Sequence, residues 1–196
     1  GFFAAHWFAG LGWSVAGVYS AIVLATGPTV VTPLVRQIRL ASPLSDVLEA
    51  EGLILEPIGA VLALLLLELV VGDLHGWREL FLGLLSRLGG GVLIGSLAGL
   101  FLSEGLKRLR SEPYIGIRLQ LTLGVVFLLY GVCEWLLPES GLPASVAAGF
   151  VVGQRPSTQA NELDKLIREL AQLAITMLFP LLAADVSWGE LSPLGW

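Results

Sequence analysis

No Asp, Glu, Lys or Arg occurs between Gly1 and Val35, and five further stretches of the 196-residue chain follow suit: 52–67 with a single Glu, 88–103, 119–133, 140–154 and 170–184. A water-soluble domain carries roughly 25% charged residues, whereas this chain has 14%, with 55% hydrophobic residues and a mean hydropathy of +0.81. The solvent implied is lipid, where a spanning helix needs roughly 20 mostly apolar residues. The sequence therefore reads as an all-α, polytopic membrane protein. Punctuation by Pro, Gly and charge places about five to six spans at 13–36, 44–72, 79–106, 114–137, 142–154 and 163–186, after the tail of another helix at 2–12. The span at 142–154 is short. A start at Gly1 inside a hydrophobic run and an end at Trp196 lead us to expect a partial transmembrane domain over 1–196, with flanking helices missing at both ends.

The basic residues order these spans. Arg36 and Arg39, then Lys107, Arg108, Arg110 and Arg118, then Arg155, Lys165 and Arg168 put nine of eleven cations on alternate loops. That asymmetry marks the cytoplasmic side. The net charge of −5 and the lack of a basic run exclude a nucleic-acid partner, which leaves bilayer lipid as the expected surrounding. The lone Cys133 excludes a disulfide framework and a cysteine metal site, and reads as a small core residue. Gly91, Gly95, Gly99 and Ser103 recur every four residues, which strips one helix face and lets another backbone approach. Arg87, Glu68 and Glu134 fall toward the expected outer halves of three spans, and Arg87 should pair with one of the two acids. His6 and His75 have no second ligand at useful spacing.

Two stretches carry chemistry. In LEAEGLILEPIGAVLA, residues 48–63, Glu49, Gly52, Glu56, Gly59, Ala60 and Ala63 share one helix face, opposite Leu53, Ile54, Ile58, Val61, Leu62 and Leu65. Glu56 thus projects among small residues that leave room for water, an ion or a second backbone. Pro57 lacks an N–H and disturbs the carbonyl of Leu53 one turn earlier. In ATGPTVVTP, residues 25–33, the Gly27–Pro28 pair breaks a span and frees backbone groups that lipid cannot satisfy. Such breaks are tolerated along a wet cavity, and in secondary transporters they mark the ion or substrate site. Thr26, Thr29 and Thr32 add hydroxyl oxygens suited either to mending the backbone or to ligating a hard cation. A simple Pro-kinked helix remains the alternative for this stretch alone.

Together, ATGPTVVTPLVRQIRL and VLEAEGLILEPIGAVLA resemble the monovalent cation:proton antiporter (sodium/proton exchanger) family, and ESGLPASVAAGFVVGQ and LAITMLFPLLAADV are similar to its later helices. The resemblance implies a sodium/proton antiporter-like helical bundle with a broken helix near 26–28. It makes Thr26 the unwound-helix threonine, Glu51 a structural glutamate and Glu56 the cation- and proton-binding carboxylate, tentatively for sodium or potassium. Gly27 stands where the family usually has an acid, Leu55 replaces an Asn or Asp, and Glu56 replaces an Asp; one carboxylate at the paired position implies one cation per proton. The resemblance further implies a secondary-active exchanger rather than an enzyme, with no cofactor beyond the transported ions. It also implies a homodimer of the full-length protein and a prokaryotic inner, or cell, membrane. A channel-like or structural subunit with a Gly-Pro hinge, or a sodium-coupled solute symporter, are the other readings.

Overall fold

A computed structural model describes residues 1–24, 42–72, 76–109, 115–154 and 160–185. Within them the chain forms seven helices: α1 (Phe2–Ala9), α2 (Trp13–Leu24), α3 (Ser42–Val71), α4 (Trp77–Arg108), α5 (Ile115–Leu136), α6 (Gly141–Gly153) and α7 (Ala160–Asp185). No strand occurs among the described residues. Among the described residues, four helical stretches are long and apolar enough to cross a bilayer: Pro43–Val71, Trp77–Arg108, Gly116–Leu136 and Lys165–Ala184. Large apolar side chains such as Leu93, Phe101 and Phe127 lie exposed on them, the reverse of a water-soluble fold.

The helices end where the sequence supplies a stop. Gly10 takes φ 67° after α1, and its amide donates to the carbonyl of Ala5. Gly72 takes φ 97° after α3, a left-handed conformation that a side chain would strain, and its N–H donates to Glu68 O at 3.1 Å.

α4 is the hub, in contact with α3, α5 and α6. In lipid there is little hydrophobic drive between helices, so close approach of backbones does the holding. The stripe of small residues on α4 provides it. A Cβ added at Gly91 would lie 2.6 Å from the Ser140 carbonyl oxygen, and one at Gly99 would lie 2.7 Å from that of Ala148. At Gly95, between them, it would run into the Ala144 backbone. The other backbone expected beside this stripe is therefore α6. A cluster of Leu129, Cys133, Ala144 and Ala148, covered by Ile94 and Ala98, continues the contact into α5. Cys133 is fully buried, as a core residue should be.

The α5–α6 turn is closed by a carboxylate. Glu134 accepts hydrogen bonds from the backbone N–H groups of Glu139 (2.9 Å) and Gly141 (3.1 Å), so it caps the N-terminal end of α6 from the preceding helix. Glu139 takes φ 64° to present its amide, and Ser140 Oγ donates to the Cys133 carbonyl at 3.1 Å.

On the α3 side, Val61, Leu65 and Leu80 form a second cluster with Leu84 and Leu88 of α4. Both the small face and the apolar face of α3 contribute buried residues. Val61 and Leu65 are fully buried, while Gly52 and Gly59 are buried too. The reason is that α2, α4 and α6 all pack on α3, so its outer part is enclosed from more than one side. Arg118 is corrected: counted among the loop cations, it instead sits in the first turn of α5 and is only 3% exposed.

Candidate ion-binding site

α3 stays helical through Pro57, which is buried. Because residue 57 has no N–H, the carbonyl of Leu53 is left without its usual helical donor. Glu56, directly before the proline, is half-buried and flanked on its face by buried Gly52 and Gly59. Glu49, seven residues earlier and about 10 Å along the axis, lies on the same face and is also half-buried. Glu51 points elsewhere and is exposed. The helix thus presents one sheltered carboxylate at a loosened turn, with a second acid below it toward the expected cytoplasmic end.

Thr26, Gly27 and Pro28 lie outside the described residues, as do Thr29 and Thr32. α2, the helix that leads into them, packs against α3, and its last described residue is Leu24. Between these two helices lies a cavity of about 470 Å³ lined by Phe2, Trp13, Leu24, Leu62, Leu66 and Trp77, among others. Ser20 also reaches it, but its hydroxyl is already donated to the Ala16 carbonyl at 2.7 Å. The cavity is mostly apolar, and neither Glu56 nor any other charged residue lines it. Among the described residues no group of three or more His, Cys, Asp or Glu could hold a metal ion. Any cation at Glu56 therefore needs oxygens beyond the described carboxylates, and hydroxyls or freed carbonyls are the donor types a hard cation accepts.

The remaining charged groups sort by what they touch. Arg87 Nη2 donates to both carboxylate oxygens of Glu68, at 2.9 and 3.1 Å, which settles the choice between Glu68 and Glu134. Glu134 is committed to the α6 backbone, a role with no signal in the sequence beyond an acid inside an apolar run. His6 Nδ1 donates to the Leu11 carbonyl, 2.6 Å away, and the ring stacks on Trp13 with centroids 3.7 Å apart. Its role is local, at the α1–α2 turn; His75 lies outside the described residues.

The family model described as "sodium/hydrogen exchanger, transmembrane" matches residues 1–196. The chain belongs to that family. The "probable Na(+)/H(+) antiporter 2" of Methanocaldococcus jannaschii is 25% identical to the exchanger chain over 182 residues, covering 87% of this chain and 42% of that relative. The exchanger chain thus spans less than half of that relative's length. No solved structure matches it. The family is one of transporters rather than enzymes, and the chain is a multi-pass membrane protein of it.

Proposed function

We infer that the intact protein exchanges a monovalent cation, sodium or potassium, for a proton, and that Glu56 is the group for which the two compete. The observation that carries this reading is the half-buried Glu56 beside buried Pro57, Gly52 and Gly59, on a helix that packs against α2. A carboxylate at membrane depth is costly to keep and is by default a candidate for function. The name of the archaeal relative, a sodium/proton antiporter, supports the same pair of ions.

The mechanism follows from a single carboxylate. Cation and proton cannot occupy it together, so loading one releases the other, and one negative charge per cycle makes the exchange electroneutral. Thr26 and the carbonyl freed by Pro57 are the natural further ligands, with Gly27 and Pro28 shaping the break and Glu51 in a structural role nearby. Alternate exposure would come from rocking of one group of helices against another. Bilayer lipid surrounds the protein, a second copy completes a homodimer, and a prokaryotic cell membrane is the proposed setting.

The test is sodium-driven proton movement in proteoliposomes, read with a pH-sensitive dye, for the intact transporter and its Glu56→Gln variant. Loss of exchange in a folded variant is expected. Exchange at the original rate would remove Glu56 from the mechanism, and sodium flux without proton movement would point to a channel instead.

A further inference from the structure

The Arg87–Glu68 ion pair does more than neutralise two charges. The side chains are 14% and 24% exposed, and a single nitrogen, Nη2, contacts both carboxylate oxygens. The other amino nitrogen, Nη1, is buried and has no hydrogen-bond partner among the described residues. Buried ion pairs are in general weak stabilisers, and their best-attested use is to specify one arrangement among several.

Its surroundings show which arrangement. One turn before Arg87, Leu65 of α3 fills the notch at Gly83, where an added Cβ would lie 2.9 Å from Leu65 Cδ2. One turn after it, Gly91 is seated against Ser140 and Pro143 of α6. The pair therefore fastens the outer part of α3 to the segment of α4 that α6 already grips. Below Pro57 the situation differs: Ala50, Glu51, Leu53 and Ile54 are exposed. α3 thus has an anchored outer part, a less enclosed inner part, and Glu56 at the proline joint between them.

We propose that Glu68 and Arg87 are positioning residues for Glu56: their two-oxygen contact sets the height and rotation of α3 on α4, and with them the place of the carboxylate at the Pro57 joint. Apolar contacts such as Val61 and Leu65 on Leu80, with Leu65 in the Gly83 notch, hold the two helices together through shape. The charge-assisted contact from Nη2 to both oxygens adds a polar point of fixed distance and direction between α3 and α4. The lever between anchor and joint is twelve residues, about 18 Å of helix. The proposal rests on Glu56 being the exchange site.

The experiment uses the intact transporter in proteoliposomes, with the half-saturating sodium concentration and the maximal rate measured separately and each normalised to folded protein. Three variants are compared: Glu68→Gln with Arg87→Gln, which keeps a polar pair without charge; the exchange Glu68→Arg with Arg87→Glu; and Arg87→Lys, which keeps the cation but changes the reach and direction of the contacting nitrogen. The neutral pair should raise the half-saturating concentration about tenfold, as a shift of about 1.4 kcal/mol would. The exchanged pair should bring it back toward the original value, and Arg87→Lys should fall between them. An unchanged half-saturating concentration in Arg87→Lys and the neutral pair, with only the yield of folded protein reduced, overturns the proposal in favour of a purely structural pair. Glu56→Gln, run alongside, separates the two ideas: if it still exchanges, the Glu56 assignment fails whatever the pair does.

Discussion

Replacing Gly95 with Ala adds one methyl group at the tightest point between α4 and α6. The new carbon would sit 2.6 Å from both the carbonyl carbon and the Cα of Ala144, and nearer still to the carbonyl oxygen. Carbon atoms settle at roughly 3.5–4.0 Å, so α6 must retreat by about 1 Å. A gap of that order forfeits up to about half of the dispersion energy of each contact it opens, and it opens them at Gly91 and Gly99 as well. Overpacking of this kind costs roughly 1–3 kcal/mol. Alanine also favours helix over glycine by up to about 1 kcal/mol, which partly offsets the loss. Gly124→Ala on α5 separates the two effects, because nothing lies within 4 Å of a Cβ there. The difference between the two variants should then be about 1–3 kcal/mol, with Gly95→Ala the less stable. Unfolding of the purified protein in mixed micelles with rising SDS, followed by tryptophan fluorescence, measures it. Equal midpoints would refute the close approach of α4 and α6.

Three further outcomes are expected. Glu134→Ala removes both acceptors for the Glu139 and Gly141 amides and should destabilise the fold by about 1–3 kcal/mol per orphaned donor, while Glu134→Gln retains one acceptor and should cost less; the same unfolding assay ranks them. Leu65→Ala opens a cavity at a fully buried site and should cost about 2–5 kcal/mol, whereas Leu67→Ala, at an exposed position on the same helix, should cost far less. Cys133 is fully buried, so a maleimide should label it only after denaturation; rapid labelling of the native protein would contradict the packing of α5 on α6.

The fold class was legible because charge and hydropathy alone determine whether a backbone can live in lipid, and helices are the local answer to that constraint. The α4 seam was legible too, since a four-residue spacing of Gly91, Gly95, Gly99 and Ser103 has no use except close approach. Partners were harder. Arg87 had two acids within plausible reach, and only the packing of α3 on α4 selects Glu68. Glu134 could not be read at all, because its partners are backbone amides placed by the φ of Glu139. Arg118 looked like a loop cation because burial is a property of neighbouring helices rather than of the local sequence. In the candidate site, Glu56 beside Pro57 stands out in the sequence, but the burial of Val61 and Leu65 does not follow from one helix wheel. Thr26, Gly27 and Pro28 fall outside the described residues, so their relation to Glu56 rests on the proposal above.

The length of α6 bears on how the protein is made. Thirteen residues rise about 20 Å, well short of the roughly 30 Å of a hydrocarbon core. A segment of that size has too little apolar length to leave the insertion machinery for lipid on its own. Its amide end is already provided for by Glu134 of the preceding helix, and its flank by the bare stripe of α4, both synthesised earlier in the chain. Membrane entry of α6 should then depend on docking onto helices that are already inserted, and a defect in α4 or α5 should surface first as a failure to thread the segment that follows them.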